Sequence, residues 1–369
     1  MYPPDTRKTA TPAEARPQAG SLHSHRPSRH PRITAAPSAL KWVETPPREP
    51  PCGNRKTNAS AGKYKGIAMV VGNITLKDKV AVVTGGGSGI NLCFVRLALQ
   101  AGARVLIADL KLLPEAEQLV AENKDRAFFM KCDVSNWRDL ENVPSSVAQA
   151  FGKDAVADVW IPGAGVFEPK WSSFLYDTET DHYEAFRINT EHPIKLTRIA
   201  MRSCLSVNKP CVVLITASTA GFVGTYGAPL YCASKHAIVG FTKSMGQADV
   251  DENCKIVCIC PGIVATPLWT GDEAKHVASQ FSYNESMAVT PEEVAEAMME
   301  MVTSGEWEGG SMMEITKATG RRKLDSLRAE DRIKESGLDA DAVGKFMDGM
   351  QRPIREVWAK ERGLANAAK

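Results

Sequence analysis

From Lys77 onward, short apolar runs alternate with longer stretches in which apolar residues recur every three or four positions. The short runs predict β-strands, and the longer stretches predict amphipathic helices. The predicted strands are KVAVVTG (79–85), RVLIADL (104–110), AFFMKCDV (127–134), DVWIPGAG (158–165), CVVLITAS (211–218), KIVCICPG (255–262) and, last, SMMEIT (311–316). The predicted helices cover 90–102, 134–151, 178–206, 231–249 and 291–304. This alternation predicts an α/β fold with a doubly wound parallel sheet, helices on both faces, and ligands at the carboxyl ends of the strands.

Residues 1–69 follow no such pattern. They hold 11 of the 22 prolines, and 12 Lys and Arg against 4 Asp and Glu. Because too little apolar surface is present to offset the entropy of ordering, this stretch is predicted to be a disordered extension. An Arg-rich, acid-poor leader is also typical of mitochondrial transit peptides, but prolines interrupt the helix that such peptides form, so this is the weaker alternative. A third interpretation takes Met69 as the start of the functional protein, with the residues before it as a poorly constrained extension.

The rest of the chain carries 33 Lys and Arg against 39 Asp and Glu, and this mild acidity argues against a nucleic-acid partner. No run of 18 uncharged apolar residues occurs, so we expect no membrane span and a cytoplasmic protein. The nine cysteines lack framework spacing and are expected to be reduced core residues. Cys254, Cys258 and Cys260 have no His or second cysteine pair nearby, so no metal site is predicted.

The sequence TGGGSGIN links the first predicted strand to the first predicted helix. Gly85, Gly87 and Gly89 would let the backbone approach a pyrophosphate, and the helix N-terminus would supply N–H donors and positive potential. Asp109 ends the second strand, where a carboxylate can bond the adenosine ribose hydroxyls and would repel a 2′-phosphate. NAD is therefore favoured over NADP. Two alternatives stay open: NADP, because Lys111 is nearby, and a merely solvated acid at Asp109.

Further motifs follow in order along the chain. They are CDV with Asp133, PGAG at 162–165, Asn189 in FRINTEH, Ser218 in ITASTAG, YCASK at 231–235 and PGIVATP at 261–267. With the glycine-rich turn, they make the chain from about Ile74 to about Gly320 resemble the short-chain dehydrogenase/reductase family, with a vague similarity to fungal members related to hydroxyprostaglandin dehydrogenase. The resemblance implies a single-domain, NAD-binding Rossmann-type fold over 70–320, between the extension 1–69 and a helical tail, 321–369.

The resemblance also implies a catalytic tetrad. Tyr231 would be the acid/base, Ser218 would bond the reacting oxygen, Lys235 would hold the nicotinamide ribose, and Asn189 would hold a water. Independent chemistry supports this, because Tyr231 and Lys235 lie one helical turn apart and an ammonium lowers the pKa of a phenol from about 10. The cofactor-binding residues expected are Gly85, Gly87, Ser88, Gly89, Ile90, Asp109, Asp133, Val134, Ala164, Gly165, Tyr231, Lys235, Pro261, Gly262, Val264 and Thr266.

Two places depart from the family pattern. Asn91 stands where the family has its third glycine, and Pro162 and Gly163 replace the usual Asn-Asn pair. Asn91 is expected either to loosen the packing of helix against strand or to offer its amide to the pyrophosphate, while Pro162 removes a backbone donor near the adenine. Since the glycines before Asn91 remain, we expect cofactor binding to survive.

Aromatic and other apolar residues near the predicted site suggest a substrate. They are Phe167, Trp171, Phe222, Trp269, Phe281, Tyr283 and Met287. These would line a pocket for a medium-sized hydrophobic secondary alcohol or ketone, unless they serve ordinary core packing. The predicted function is hydride transfer between such a substrate and NAD. An NADPH-dependent carbonyl reductase and a non-catalytic dinucleotide-binding regulator are the alternatives.

The tail carries an apolar stripe. Its members are Val343, Phe346, Met347, Met350, Ile354, Val357 and Trp358. Because Pro353 interrupts it, the stripe predicts two helical pieces that dock on the domain or on a neighbouring subunit. The family resemblance places a dimer surface on the helices that carry Asn189 and Tyr231. Ile194, Leu196, Ile199, Phe241 and Met245 are expected there, which favours a homodimer or homotetramer.

Overall fold

The structure, a computed structural model, describes residues 70–167, 174–179, 182–271, 278, 281–325, 337 and 339–363. The predictions for residues 1–69 and for Trp171 concern positions outside these ranges. Among the described residues, no helix is both long enough and apolar enough to cross a bilayer.

Within the described residues, eight strands form one sheet. They are β1 (Val80–Thr84), β2 (Arg104–Asp109), β3 (Ala127–Lys131), β4 (Val159–Pro162), β5 (Cys211–Thr216), β6 (Cys254–Pro261), β7 (Met312–Thr316) and β8 (Gly320–Lys323). They lie in the order β3-β2-β1-β4-β5-β6-β7-β8, and neighbours are parallel up to β7. The order runs outward from β1 in both directions, so the predicted doubly wound Rossmann-type sheet is confirmed.

The far edge of the sheet differs from the expectation, because the stretch 311–316 does not form the last strand. The chain turns back and β8 pairs antiparallel with β7, Thr316 opposite Gly320. Gly320 adopts a φ of 62°, a left-handed conformation that glycine enters without a steric penalty. The residues Arg321 to Lys323 are exposed, and such charged side chains discourage pairing with a further strand at the edge.

Helices cover both faces of the sheet. They are α1 (Gly89–Gln100), α2 (Pro114–Glu122), α3 (Trp137–Glu141), α4 (Val143–Phe151), α5 (Glu184–Phe186), α6 (His192–Ser206), α7 (Pro229–Ser244), α8 (Gln247–Glu252), α9 (Pro267–Thr270), α10 (Pro291–Thr303) and α11 (Ala340–Glu361). Three of the predicted helices are divided: 134–151 breaks at Asn142, 178–206 contains a π-helical turn at Arg187–Glu191, and 231–249 breaks between α7 and α8.

The core has two layers, one on each face of the sheet. In β1, Ala81 and Val83 belong to the layer under α1 and α10, whereas Val80 and Val82 belong to the layer under α6. All four side chains are buried. A parallel sheet covered on both faces needs apolar residues at successive positions, which is why its strands appear in the sequence as continuous apolar runs.

The eight cysteines of the described residues are free and buried. Cys258 and Cys260 point to the same face of β6, with their Sγ atoms 3.9 Å apart. They pack in the α6 layer as small side chains. Within the described ranges, no group of three or more His, Cys, Asp or Glu residues is placed to hold a metal ion.

The expected dimer surface on α6 is wrong for two of its residues. Leu196 and Ile199 are fully buried inside the chain's own core. Phe241 and Met245 are partly buried and pack against the same layer. Of this set, Ile194 is the residue that stays exposed, at 36%. Helical periodicity identified an apolar face correctly, but this face packs on the sheet.

In the described part of the tail, the apolar stripe lies on one helix, α11, and not on the two pieces expected from Pro353, which lies inside it. Contacts with the domain hold the C-terminal half of α11. The Arg198 guanidinium lies 4.6 Å from the Trp358 ring centre and also pairs with Glu361, and Arg355 pairs with Asp251 at 2.9 Å. These tertiary contacts compensate for the hydrogen bond that a proline cannot donate.

Candidate active site

A cavity of about 560 Å³ opens at the carboxyl ends of the central parallel strands, where doubly wound folds bind ligands. Most of the predicted site residues line it. They are Gly85, Ser88, Gly89, Ile90, Asp109, Asp133, Val134, Ala164, Gly165, Ser218, Tyr231, Lys235, Pro261, Gly262, Val264 and Thr266. Gly87 and Asn189 are not lining residues but support the residues that are.

Two positions of the glycine-rich turn, Gly85 and Gly87, have no room for a side chain. A Cβ atom on Gly85 would lie 2.7 Å from the Cα of Ala164, and one on Gly87 would lie 2.4 Å from the carbonyl oxygen of Lys111. Gly85 also has a left-handed φ of 69°. After this turn, α1 begins with Ser88 as its N-cap, and the Ser88 side chain does not cap the helix. The first N–H groups of α1 are therefore available to an anion at the cavity.

Asp109 braces the glycine turn from the end of β2. Its Oδ2 accepts a hydrogen bond from the Gly87 N–H at 2.9 Å, and its Oδ1 accepts one from Leu110 N–H at 2.7 Å. An ionised carboxylate has about four acceptor positions, so two remain for ligand hydroxyls. The Asp133 carboxylate also has some of its acceptor positions occupied, because its Oδ1 accepts hydrogen bonds from the backbone N–H and the hydroxyl of Ser135.

The two departures from the family pattern fit each other. A Cβ atom on Gly163 would lie 2.3 Å from Oδ1 of Asn91, so the Asn91 amide occupies the space that a side chain at position 163 would need. The Asn91 Nδ2 donates to the carbonyl of Gly85 at 3.3 Å. Asn91 also lines the cavity, and its Nδ2 has a second hydrogen beyond the bond within the turn. Its effect on helix packing and on cofactor binding stays a prediction.

A buried polar pair beneath the cavity was missed by sequence reasoning. Oγ1 of Thr84 accepts hydrogen bonds from the N–H groups of Gly163 and Ala164, at 3.0 and 3.4 Å, and lies 3.0 Å from Nε2 of His192. Burial lowers the pKa of His192 to about 4, so its imidazole is neutral at physiological pH. Thr84 thus anchors the backbone just after Pro162. No periodic or motif signal connects Thr84 with His192 across 108 residues.

Ser218, Tyr231 and Lys235 meet at one side of the cavity. Ser218 follows β5, and its hydroxyl bonds to that of Tyr231 and donates to the carbonyl of Pro261 at 3.3 Å. Lys235 lies one turn after Tyr231 on α7, with its Nζ 5.7 Å from the Tyr231 ring centre. The Lys235 ammonium donates to the carbonyl of Thr216 at 2.9 Å. The strand end and the helix therefore fix all three groups.

The electrostatics of this side differ from the sequence argument in one respect. Burial of its hydroxyl raises the pKa of Tyr231 to about 12, and the hydrogen bond between the Tyr231 and Ser218 hydroxyls opposes the rise. Lys235 was expected to lower this pKa, and in the structure the hydrogen bond with Ser218 acts in the same direction. Burial also lowers the pKa of Lys235 to about 8. Both groups thus prefer their neutral forms more than they would in water.

Asn189 acts from behind the cavity. Its side chain lies in the π-helical turn, where Oδ1 accepts from the N–H of Val166 and Nδ2 donates to the carbonyl of Val166, both at 2.9 Å. Nδ2 also lies 3.3 Å from Oγ of Ser234 on α7. The Asn189 amide therefore ties the loop after β4 to the helix that carries Tyr231. Sequence spacing identified the residue but not these partners.

Aromatic rings form the other end of the cavity. The Phe167 ring centre lies 4.7 Å from that of Tyr231, 5.4 Å from Trp269 and 5.2 Å from Phe281. Tyr283 stacks on Trp269, with centres 5.5 Å apart and planes inclined by 14°. All five line the cavity. Two expected members do not: Phe222 and Met287 are 37% and 47% exposed and lie outside its lining.

Comparisons with known proteins agree with this geometry. Residues 79–276 match the family model of the short chain dehydrogenases. The chain is 33% identical over 202 residues to 3beta-hydroxysteroid dehydrogenase 2 of Eggerthella lenta, covering 54% of this chain and 76% of that protein. It is 26% identical over 262 residues to the NAD(+) 15-hydroxyprostaglandin dehydrogenase of Rattus norvegicus, covering 66% and 93%.

Momilactone A synthase of Oryza sativa subsp. japonica is 33% identical over 193 residues, covering 52% of this chain and 69% of that protein. A short-chain type dehydrogenase/reductase from Mycobacterium marinum has the same fold, with a TM-score of 0.56 at 22% identity over 66% of this chain and 96% of that one. The family match extends over more than half of the chain and includes Ser218, Tyr231 and Lys235. This protein therefore belongs to the short-chain dehydrogenase/reductase family and is an oxidoreductase.

Proposed function

We propose that the protein transfers a hydride between NAD and a medium-sized, apolar secondary alcohol or ketone, with Tyr231 as the acid/base. One observation carries the proposal: Ser218, Tyr231 and Lys235 converge on the same cavity that Asp109 and the glycine-rich turn close at its other end. In doubly wound folds a dinucleotide lies along the carboxyl ends of the strands, so it would extend from Asp109 to Lys235. An apolar substrate would bind next to its nicotinamide, beside the aromatic rings.

The residues present suit NAD. The uncapped N–H groups at the start of α1 and the space left by Gly85 and Gly87 would hold the pyrophosphate. The free acceptor positions of Asp109 would hold the adenosine ribose hydroxyls, and its charge would repel the 2′-phosphate of NADP. Bound NAD would accept a hydride from the substrate carbon. The NAD(+) in the name of the rat relative supports the same choice of cofactor.

Side chains of the protein would carry out the proton transfer. Ser218 would donate a hydrogen bond to the substrate oxygen and orient it towards Tyr231. Ionised Tyr231 would take the hydroxyl proton during alcohol oxidation, and neutral Tyr231 would return it during ketone reduction. The Lys235 ammonium would favour the ionised phenol by its positive charge. Asn189 would keep α7 and the Val166 loop in position for this transfer.

The test is Tyr231→Phe, assayed by NADH formation on a panel of hydrophobic secondary alcohols. We expect kcat to fall by about a thousandfold, because general acid–base catalysis contributes roughly a hundredfold to ten-thousandfold. NAD affinity, measured by calorimetry, should stay within about twofold, since only the hydroxyl is removed. Tyr226→Phe is the matched control, because Tyr226 is fully exposed and outside the cavity lining.

Two results would contradict the proposal. Full activity in Tyr231→Phe would exclude Tyr231 as the base. Wild-type protein that binds NAD but oxidises no alcohol and reduces no ketone would favour a non-catalytic dinucleotide-binding regulator. A preference for NADPH over NADH in the wild type would show that Asp109 does not select the cofactor.

We also propose a homodimer or homotetramer. The exposed residues Phe346, Met350, Ile354 and Val357 on α11, at 47–66% exposure, form an apolar row beside the face that contacts the domain. Burying such a row against a second copy would remove it from water. Light scattering at micromolar concentration tests this, and a strictly monomeric, fully active protein would contradict it.

A further inference from the structure

We propose that His192 is a positioning residue for the hydride transfer: its imidazole joins Thr84, at the dinucleotide end of the cavity, to the π-helical turn that contains Asn189. The inference deepens the proposed function and rests on it. His192 is the last residue of FRINTEH, three positions after Asn189. Its side chain is fully buried and is not among the residues that line the cavity. It can therefore act on the reaction only through the groups that it contacts.

The π-helical turn leaves one carbonyl group for the His192 side chain. The His192 backbone N–H donates to the carbonyl of Arg187, so it is not available to the carbonyl of Ile188. The next residue, Pro193, has no N–H to donate. Nδ1 of the imidazole lies 3.1 Å from the Ile188 carbonyl oxygen and takes the place of the backbone donor. The imidazole therefore completes the hydrogen bonding of the turn in which Asn189 lies.

These contacts determine where the protons of the imidazole are. A carbonyl oxygen can only accept, so Nδ1 carries the proton that bonds to Ile188. Burial lowers the pKa of His192 to about 4, and the positive charge of Lys235 acts in the same direction. The ring is therefore neutral, and Nε2 has no proton. Nε2 then accepts the proton of the Thr84 hydroxyl, whose oxygen lies 3.0 Å away.

This bond determines what the Thr84 oxygen can accept. The hydroxyl has a single proton, and two acceptors lie near it: Nε2 of His192 at 3.0 Å and the carbonyl of Ile161 at 3.2 Å. Donation to Nε2 leaves both lone pairs of Oγ1 for the N–H groups of Gly163 and Ala164. These two residues line the cavity, and Thr84 directly precedes the first glycine of the glycine-rich turn.

His192 thus connects the two ends of the site by a continuous set of hydrogen bonds. Beyond the π-helical turn, the Asn189 amide bonds to both backbone groups of Val166. Gly165 lies between the two ends, because a Cβ atom on it would be 3.3 Å from Oδ1 of Asn189 and 3.7 Å from Nζ of Lys235. A displacement of about 1 Å can reduce a reaction rate by about a hundredfold, so a link that holds both ends in register should raise kcat.

The first measurement is the tautomer of His192, obtained from nitrogen NMR spectra of the protein without ligand at neutral pH. We expect a neutral ring with the proton on Nδ1 and none on Nε2. His192→Phe assigns the signals, because it removes them. A ring that is charged, or that carries its proton on Nε2, overturns the inference, since Nε2 could not then accept from Thr84.

The second measurement is a double-mutant cycle of His192→Phe and Thr84→Val, which both remove the bond between the two side chains. At saturating NAD, kcat for a hydrophobic secondary alcohol should fall about tenfold in His192→Phe, while KM for the alcohol changes by less than about twofold. The double variant should be no more than about twofold slower than the slower single variant, because both changes break the same link. Effects that multiply would overturn the inference.

NAD affinity, measured by calorimetry, separates the two variants. Thr84→Val should bind NAD about tenfold more weakly, because two backbone N–H groups lose their acceptor, a difference of about 1.4 kcal/mol. His192→Phe should lose about threefold or less, since the hydroxyl can then donate to Ile161. Thr84→Ser restores the hydroxyl and should recover most of the kcat and NAD affinity lost in Thr84→Val.

The matched control is His236→Phe. Nδ1 of His236 lies 2.8 Å from the carbonyl oxygen of Cys232, four residues earlier, as Nδ1 of His192 does for Ile188. The His236 side chain is exposed, however, and does not contact Thr84. This variant should keep the wild-type kcat and NAD affinity. If His192→Phe does not fold, Thr84→Val decides, and a folded Thr84→Val with wild-type kcat overturns the inference.

Failure of this inference differs from failure of the proposed function. If the wild type oxidises hydrophobic alcohols in a Tyr231-dependent manner but His192→Phe keeps the wild-type kcat, only the role of His192 is rejected. If no alcohol is oxidised and no ketone is reduced, the proposed function fails. In that case, equal NAD affinity in Thr84→Val and the wild type rejects the link between Thr84 and the dinucleotide end as well.

Discussion

The two ends of the cavity are built in different ways. At the dinucleotide end, backbone atoms approach so closely that side chains are excluded at Gly85 and Gly87, and the Asn91 amide excludes one at Gly163. At the substrate end, side-chain rings carried by segments that follow β4 and β6 face one another across centre distances of about 5 to 6 Å. The backbone at the edge of the sheet determines the shape of the dinucleotide end. The shape of the substrate end is determined by side chains, which can be replaced by others.

This difference indicates how the two ends respond to change. Overpacking next to a rigid sheet costs free energy because neither strand nor turn can move away. A ring at the substrate end can be replaced by a smaller apolar side chain with loss of contact alone. Cofactor binding should therefore be sensitive to any added atom, and substrate choice should be adjustable without loss of the fold.

The largest effect should come from adding atoms at the dinucleotide end. Gly163→Asn restores the residue that the family pattern favours, yet its Cβ would lie 2.3 Å from Oδ1 of Asn91. We expect a loss of about 3 kcal/mol of folding free energy, the upper range for overpacking. NAD affinity should fall as the turn is displaced. Urea unfolding and calorimetry measure both quantities.

The double variant Asn91→Gly/Gly163→Asn is the internal control. Removing the Asn91 side chain empties the space, so stability and NAD affinity should return most of the way to wild type, with a coupling energy of about 2 kcal/mol or more. Additive effects of the two substitutions would show that the pair is not complementary. They would also weaken the contrast between the two ends.

The pH dependence of the reaction tests Tyr231, which lies between the dinucleotide end and the substrate end of the cavity. Since burial raises the pKa of Tyr231, the ionised phenol that oxidation requires is scarce at neutral pH. The kcat/KM for alcohol oxidation should rise almost tenfold per pH unit between about pH 6 and pH 8, and less steeply above, where Lys235 with its pKa of about 8 loses its proton. Ketone reduction needs neutral Tyr231 and should vary little over that range. A pH-independent oxidation rate would exclude Tyr231 as the titrating base.

Removing the charge of Asp109 should have a smaller energetic effect than adding a side chain at Gly163. Asp109→Ala should narrow the NAD/NADP affinity ratio by about tenfold, because a tenfold ratio corresponds to about 1.4 kcal/mol, the size of one charge-assisted hydrogen bond. Asp109→Asn separates the causes, since it keeps an acceptor for Gly87 while removing the charge. If both variants keep the wild-type ratio, the selectivity arises elsewhere in the turn.

The smallest effect is expected at the substrate end. Phe281→Leu keeps an apolar side chain against Trp269 and Phe167, so KM for a hydrophobic alcohol should rise only about threefold. NAD affinity and the unfolding temperature should stay unchanged. A loss of stability comparable with that of Gly163→Asn would show that the rings are part of the rigid core, and the contrast between the two ends would fail.

Much of the fold was predictable from the sequence because periodicity reports burial directly. The first seven strands, the doubly wound parallel sheet, the glycine turn and the positions of Ser218, Tyr231 and Lys235 follow from apolar runs and ordered motifs. Boundaries were less predictable: β8 has no apolar pattern, and α11 continues through Pro353 because tertiary contacts hold it. Which apolar face of a helix meets the core also escaped prediction, so Leu196 and Ile199 were placed on the surface although they are buried.

By itself, the sequence determined the backbone frame of this protein and the residue types of its site, because both depend on local pattern and fixed spacing. Only the tertiary structure decided how distant side chains share space: Asn91 fills the room left by Gly163, His192 supports Thr84, and the Tyr283 hydroxyl is buried without a partner. The physical reason is that volume and hydrogen-bond saturation are properties of a packed neighbourhood, which residues far apart in the chain form together.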